Sequence, residues 1–332
     1  MKMKKFINQP QRIVPELLEG LALAFPDKLR LVGSNIVARA VPKAAGKVRV
    51  VTLGGSGHEP GLSGFVGQGM LDFSVAGEIF AAPGAPRCLE AIRMAAERGE
   101  SVLFVVLNHA GDVMSANITM DMAASQGLNV KMILTHEDIS GGPNPEDRRG
   151  LVGFLPVYKV SGAAAEEGRS LQECLEIAER MERNMRTLAV AVRTATHPST
   201  GHAIFDLGED EMEVGMGQHG EAGTMRMQLK TADETADIML DLLLKDLDVK
   251  RGEDLLVIVN GAGATTLMEL LIVFRRVSHA LKEKGINLAR SRVGEYITTQ
   301  EQAGFQLMIA RMDPELLRYW DAPADAPYFV TP

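Results

Sequence analysis

His219 stands in the run Glu213-Val-Gly-Met-Gly-Gln-His-Gly-Glu-Ala-Gly223, where glycines and carboxylates surround one imidazole. A neutral imidazole near its ordinary pKa is a nucleophile at physiological pH, and an accessible one can add to a ketone to give a hemiaminal. The glycines place no bulky neighbour beside the ring, so a small molecule can approach; a surface histidine in a flexible loop is the plainer alternative. A second glycine-framed histidine, His58, lies in Leu53-Gly-Gly-Ser-Gly-His-Glu-Pro60. Consecutive glycines let backbone amides come close to a ligand, and α/β folds bind ligands beyond the carboxyl ends of their strands. His58 is therefore a candidate base or hydrogen-bond partner for a bound hydroxyl, or a cap on a tight turn. Asp112, in Asn108-His-Ala-Gly-Asp112, follows an apolar run and could serve as a carboxylate base or as an ordinary helix N-cap. His109 beside it reads as a loop residue.

Two further motifs are less specific. Gly215-Met-Gly-Gln-His-Gly220 matches G-x-G-x-x-G, which raises a nucleotide-dependent dehydrogenase as a competing class. The stretch before it, Gly208-Glu-Asp-Glu-Met-Glu213, is acidic and does not read as a buried strand, and its charge would repel a pyrophosphate. Asn260-Gly-Ala-Gly-Ala-Thr-Thr266 could cradle an anion at a helix N-terminus. It lacks the Gly-Lys-Ser/Thr ending of a P-loop, and close strand–helix packing explains it as well.

The elements that must position these residues alternate. Residues 48–53 are a β-branched run that reads as a strand entering the glycine loop, and residues 88–99 have helical spacing. Residues 101–107 are almost continuously apolar, as central parallel strands are, with the loop 108–112 at their carboxyl end. A helix over 114–126 and a strand over 129–134 complete a β-loop-α order that predicts a mainly parallel sheet. After a polar loop at 141–150 and an amphipathic helix over 171–185, a second unit reads as a strand at 187–193, an irregular polar stretch, the His219 loop and a helix at 234–247. A buried strand at 254–259, a helix to about residue 280 and strands at 287–293 and 306–311 follow, and residues 321–327 read as an extended or loose tail. The expectation is an α/β fold of two domains, 1–185 and 186–332, each a mainly parallel or mixed sheet flanked by helices.

Composition narrows the class. The chain has 332 residues, long for a single hydrophobic core. A net charge of −8 with no Lys/Arg stripe argues against a nucleic-acid partner. The two cysteines, Cys88 and Cys174, make neither a disulfide framework nor a zinc site. The start, Met1-Lys-Met-Lys-Lys5, carries the charge of a signal peptide without an apolar core behind it, and no apolar run is long enough to span a bilayer. The expectation is a cytoplasmic protein that uses no membrane.

Taken together, the loops resemble the substrate-binding (K) subunit of the dihydroxyacetone kinases. The similarity rests on Gly54-Gly-Ser-Gly-His-Glu-Pro60, Gly64-Phe-Val-Gly-Gln-Gly-Met70, Asn108-x-x-Gly-Asp112 and Gly215-Met-Gly-x-His-Gly-Glu221. Lys5-Phe-Ile-Asn-Gln9 at the start and Asp321-Ala-Pro-Ala-Asp325 at the end add to it. The resemblance covers essentially the whole chain, with its motifs in order. It implies two α/β domains, usually in a homodimer, in which His219 holds a ketone as a hemiaminal. His58 is the implied acid/base, Asp112 activates the hydroxyl to be phosphorylated, and Gly55, Ser56 and Gly57 line the triose with backbone.

The resemblance also implies that this chain itself carries no cofactor or metal site. ATP or ADP and magnesium belong to a partner DhaL-type subunit, and the sequence does not choose between ATP and a phosphotransferase-system protein as donor. The implied reaction is glycerone or short-ketose phosphorylation in glycerol metabolism. Two departures bear on the substrate pocket or the subunit contact. Leu107 stands where some members have Lys, and Thr298-Thr-Gln-Glu-Gln-Ala-Gly304 replaces a stretch that is more apolar in many members. A longer ketose such as erythrulose is therefore an alternative to dihydroxyacetone. A non-catalytic, dihydroxyacetone-sensing coactivator is the alternative to an enzyme.

Overall fold

The computed structural model describes residues 4–332, so Met1 to Met3 of the charged start lie outside it. The described residues contain no helix long and apolar enough to cross a membrane. The chain forms two mixed α/β sheets flanked by helices. One compact unit takes the chain up to Thr135, Phe154–Met181 and Leu316–Pro332, and the other takes His136–Gly153 and Glu182–Glu315. A single cut near 185 was expected. One of the chain's passages does fall close by, between Met181 and Glu182, but 136–153 belongs with the second unit and 316–332 with the first.

The first unit opens with α1 (Ile13–Ala24), β1 (Leu29–Val32), β2 (Ile36–Arg39), β3 (Arg49–Ser56) and β4 (Phe73–Ile79). It continues through α2 (Ala85–Ala95), β5 (Val102–Leu107), α3 (Ala110–Ser125), β6 (Val130–Thr135), α4 (Phe154–Glu167) and α5 (Leu171–Arg183). The sheet order is β1-β2-β4-β3-β5-β6. The pairs β4–β3, β3–β5 and β5–β6 are parallel, as the β-loop-α pattern requires, and β1–β2–β4 adds an antiparallel edge. Every residue of β5 is buried, which explains its unbroken apolar run; Leu107, at its end, is 3% exposed and packs where a lysine would have to bury its charge.

Helix α4 was not expected. Residues Phe154 through Ala165 are all buried, so no polar face betrays a helical period. Its Lys159 is tolerated because Nζ donates to the Tyr319 carbonyl at 2.6 Å. Gly54 to Ser56 belong to β3 and not to the loop that follows it. Asp112 likewise lies inside α3, in its first turn, with His109 at the N-cap position.

In the second unit β7 (Met185–Arg193), β8 (Glu211–Val214), β9 (Met225–Gln228), α6 (Ala232–Asp246), β10 (Asp254–Gly261), α7 (Leu267–Lys284), β11 (Asn287–Gly294) and β12 (Ala303–Arg311) form a sheet of order β11-β10-β12-β7-β8-β9. Only β10–β11 is parallel; β10–β12, β12–β7, β7–β8 and β8–β9 are antiparallel. Parallel neighbours need a long crossover, and β10-α7-β11 is the one helical crossover joining paired strands in this sheet. The helices start cleanly. Thr231 with Glu234 and Thr266 with Glu269 form capping boxes at α6 and α7.

The chain ends with α8 (Pro314–Asp321), β13 (Ala324–Ala326) and β14 (Phe329–Thr331). The expected loose tail is thus a hairpin. β13 pairs antiparallel with β14, Asp325 N donates to Gln68 O at 2.9 Å, and Trp320 meets Phe329 edge-on at 5.6 Å.

Inside the second unit a fully buried carboxyl, Glu137, ties down the turn 151–153. Its Oε1 accepts from Leu151 N at 2.7 Å and Gly153 N at 2.8 Å, while its Oε2 has no hydrogen-bond partner. Burial pushes the Glu137 carboxyl up to about 7, its backbone donors oppose this, and Glu182 adds to the rise. The neighbouring His136 is raised as well, through its hydrogen bond to Glu182. For an acid whose folded pKa exceeds its unfolded value, folding is unpenalised below the unfolded value, and stability falls as pH rises towards and through the folded one. Glu137→Gln keeps the acceptor oxygen and cannot ionise. Chemical denaturation should show that the variant gains on wild type between pH 5 and pH 9, by on the order of 3 kcal/mol. A pH-independent difference would contradict this reading.

Candidate functional site

The first unit holds the His58 loop. β3 delivers Gly54 to Ser56, and Ser56 Oγ donates to Gly77 O at 2.8 Å, which ties the strand end to β4. Gly57 N donates to Glu59 Oε1 at 3.0 Å. Burial lifts the Glu59 carboxyl above its usual range, opposed by that backbone bond. His58 is 5% exposed, and its ring packs on Phe80 with centroids 5.0 Å apart and a 36° tilt. Phe80 itself adopts a positive φ of 57°, an uncommon conformation for a bulky residue. The imidazole is therefore held by a ring and is not a loosely exposed cap.

Asp112 is 8% exposed in the first turn of α3, where the helix dipole favours a negative charge. His109, at the N-cap, makes no side-chain capping bond. The charge of Asp112 reaches two buried groups. Cys88 is pushed up to about 12, chiefly by burial, with Asp112 adding to it. The Tyr158 hydroxyl is also raised by burial and by Asp112, and it shares a 2.7 Å hydrogen bond with Thr52 Oγ1. Both groups stay protonated beneath the carboxylate.

His219 lies in the second unit, on the connector of the β8–β9 hairpin, whose strands close on the pair Val214↔Met225. The acidic stretch before the G-x-G-x-x-G match does contain a strand, contrary to expectation: Met212, Glu213 and Val214 of β8 are buried. Glu213 is accommodated there by Arg226, 2.7 Å away. The element after the match is a strand of the same hairpin and not a helix, so the match lacks the helix N-terminus on which a pyrophosphate would rest.

The connector is tightly packed. Arg149 donates from Nε to Asp138 Oδ2 and from a terminal nitrogen to Gly215 O, both at 2.8 Å. A Cβ built on Gly217 would fall 2.2 Å from the Arg149 guanidinium and 2.3 Å from Glu221 Oε2. A side chain there would have to push the Arg149 guanidinium or the Glu221 carboxylate aside. The glycines thus serve close packing beneath His219 as well as access above it.

Sequence reasoning gave Glu221 no role, and the structure does. His219 N donates to Glu221 Oε2 at 2.8 Å, and His219 Nδ1 lies 3.4 Å from Glu221 Oε1. Burial acts to raise the Glu221 carboxyl, but the His219 hydrogen bonds and charge outweigh it and hold it well below the usual range. An ionised carboxylate can only accept. When the imidazole is neutral, a proton shared with Glu221 sits on Nδ1 and Nε2 carries the lone pair. The imidazole is 29% exposed. A glutamate two residues after a glycine-framed histidine was the available signal; its meaning required the geometry.

The Dak1 domain family model matches residues 19–328. The chain belongs to the Dak1 domain family. It is 36% identical over 330 residues to the dihydroxyacetone-binding subunit DhaK of a PTS-dependent dihydroxyacetone kinase from Listeria innocua, covering 98% of this chain and 99% of that one. It is 39% identical over 333 residues to an L-erythrulose kinase of Pectobacterium atrosepticum, covering 98% of this chain and 56% of that protein. Among solved structures, the dihydroxyacetone kinase operon co-activator Dha-DhaQ superposes with a TM-score of 0.91 at 30% identity, covering 96% of this chain and 98% of that one.

Gly217→Ala gives the steric test of the packed connector. The variant should lose about 1 to 3 kcal/mol of stability through overpacking and displace Arg149 or Glu221 in a crystal structure. An unshifted connector with unchanged stability would show that the glycine is not required.

Proposed function

We propose that this Dak1-family chain holds a short ketose covalently on His219 and presents a hydroxyl of it for phosphorylation. The observation that carries the reading is the His219–Glu221 pair, which directs the Nε2 lone pair of an accessible imidazole. Nε2 bonds to the carbonyl carbon and the C=O π pair moves to oxygen. That oxygen takes up a proton from water and the imidazolium releases its Nδ1 proton to water, leaving a neutral hemiaminal beside Glu221. A triose has few atoms for non-covalent contact, and a bond to the carbonyl holds it while excluding polyols that lack one. In this reading Gly55, Ser56 and Gly57 line the ketose, His58 serves as acid/base, and Asp112 takes the proton of the hydroxyl that attacks phosphorus.

The phosphoryl donor belongs to a DhaL-type unit that supplies nucleotide and magnesium. The reading also includes the family's homodimer and a cytoplasmic location. Dihydroxyacetone and erythrulose are both within its scope, since relatives of each kind match at similar identity. The likeness to an operon co-activator favours one further reading, in which the chain binds the ketose and signals without turnover.

Carbon-13 NMR with dihydroxyacetone labelled at its carbonyl carbon tests the capture. Wild type should move the label from the ketone to the tetrahedral range, His219→Ala should not, and Asp112→Ala should keep the adduct. With a DhaL-type donor, wild type should form ketose phosphate and Asp112→Ala should lose at least about a hundredfold in rate. The chain without a donor should not turn over with ATP. Equal adduct in wild type and His219→Ala would refute the capture role, and an adduct without phosphate in the reconstituted system would favour the co-activator.

A further inference from the structure

Three features that looked separate in sequence meet inside the second unit. The turn Asn260-Gly-Ala-Gly-Ala-Thr-Thr266 resembled an anion cradle, but its polar groups hold another part of the chain. Asn260 Oδ1 accepts from Tyr296 N at 2.7 Å and Ile297 N at 3.1 Å, and Asn260 Nδ2 donates to Ile297 O at 2.8 Å. Thr299 N donates to Ala262 O at 2.8 Å, and Gly304 N donates to Thr265 Oγ1 at 2.7 Å. Gly263, at φ +127°, could carry no side chain, since a Cβ would fall 1.8 Å from Gln300 O. The turn is therefore a fitted seat for residues 296–304, which include the Thr298–Gly304 departure from the usual family pattern.

That stretch in turn grips the residue next to His219. Gln218 is 4% exposed. Its Nε2 donates to Thr298 O at 2.7 Å and to Thr299 Oγ1 at 2.8 Å, and its backbone carbonyl accepts from Thr299 Oγ1 at 2.8 Å. Its Oε1 accepts from Gln306 Nε2 at 2.8 Å, and Gln306 Oε1 accepts from Val152 N at 2.9 Å. Both amide hydrogens and the side-chain oxygen of Gln218 are thereby engaged. Through Val152 the same network reaches the turn that Glu137 ties down.

We propose that Thr299 and Gln306 are positioning residues for ketone capture, acting through the buried Gln218 side chain to fix His219, with the 260–266 turn as their seat. The inference rests on the capture reading above. Adjacent α-carbons are 3.8 Å apart, so a shift of the Gln218 backbone is passed directly to that of His219. A reacting atom misplaced by about 1 Å can cost two orders of magnitude.

The experiment titrates carbonyl-labelled dihydroxyacetone into the full chain and reads the tetrahedral carbon signal. Thr299→Val removes the hydroxyl at nearly constant volume, Thr299→Ser retains it, and Gln306→Leu removes the amide. Thr235→Val deletes a buried hydroxyl of α6 outside the network and controls for general destabilisation. Thr299→Val and Gln306→Leu should each raise the half-capture concentration by at least about tenfold, while Thr299→Ser and Thr235→Val stay within about twofold of wild type. Wild-type capture by Thr299→Val, or an equal loss in Thr235→Val, would overturn the proposal. His219→Ala in the same titration separates the two levels. If it loses capture while Thr299→Val does not, only the positioning role fails; if it captures like wild type, the capture reading itself fails.

Discussion

In the proposed capture, a carboxylate that can only accept a hydrogen bond decides which nitrogen of His219 attacks. Glu221 does this from two residues away, bonding the His219 main chain with one oxygen and facing Nδ1 with the other. The arrangement needs a chain that folds back within three residues with no side chain at Gly217. It also needs Arg149 to hold the carbonyl of Gly215, and Arg149 is in turn fixed by buried Asp138. The second unit can be read outward from that pair: the β8–β9 hairpin presents the connector, Gln218 anchors it, and the 260–266 turn seats what anchors Gln218.

The two sheets solve different problems. In the first unit, parallel β3, β4 and β5 end their hydrogen-bonded ladders near one another, so the His58 loop after β3 and the first turn of α3 after β5 emerge from the carboxyl edge of one sheet. Buried strands fix these ends firmly, and ring packing on Phe80 fixes His58. In the second unit an antiparallel hairpin presents His219, on a long connector between paired strands that side chains shape from several directions.

Much of this was legible in the residues. Continuous apolar runs located β3, β5 and β10, and helical spacing located α3, α5, α6 and α7 to within a few residues. His58, Asp112 and His219 stood out because each lies in a glycine-containing motif. What escaped did so for physical reasons. Helix α4 is buried all round and has no period to read. The β8 strand is short and carries buried Glu213, whose arginine partner lies across the hairpin. The terminal hairpin is stabilised by residue 68, far away in sequence. Gln218 was an unconstrained position within its motif, and the Thr298 to Gly304 departure looked like a change of pocket until the fold showed it gripping Gln218.

Nitrogen-15 NMR of the histidine-labelled chain tests the central claim most directly. Before substrate, His219 should show a protonated Nδ1 and an unprotonated Nε2. Addition of dihydroxyacetone or erythrulose should convert Nε2 to a substituted, pyrrole-like nitrogen, and Glu221→Gln should weaken both the tautomer preference and the conversion. If both His219 nitrogens stay unchanged at a ketose concentration that saturates phosphate formation with the donor, covalent capture on this imidazole is wrong.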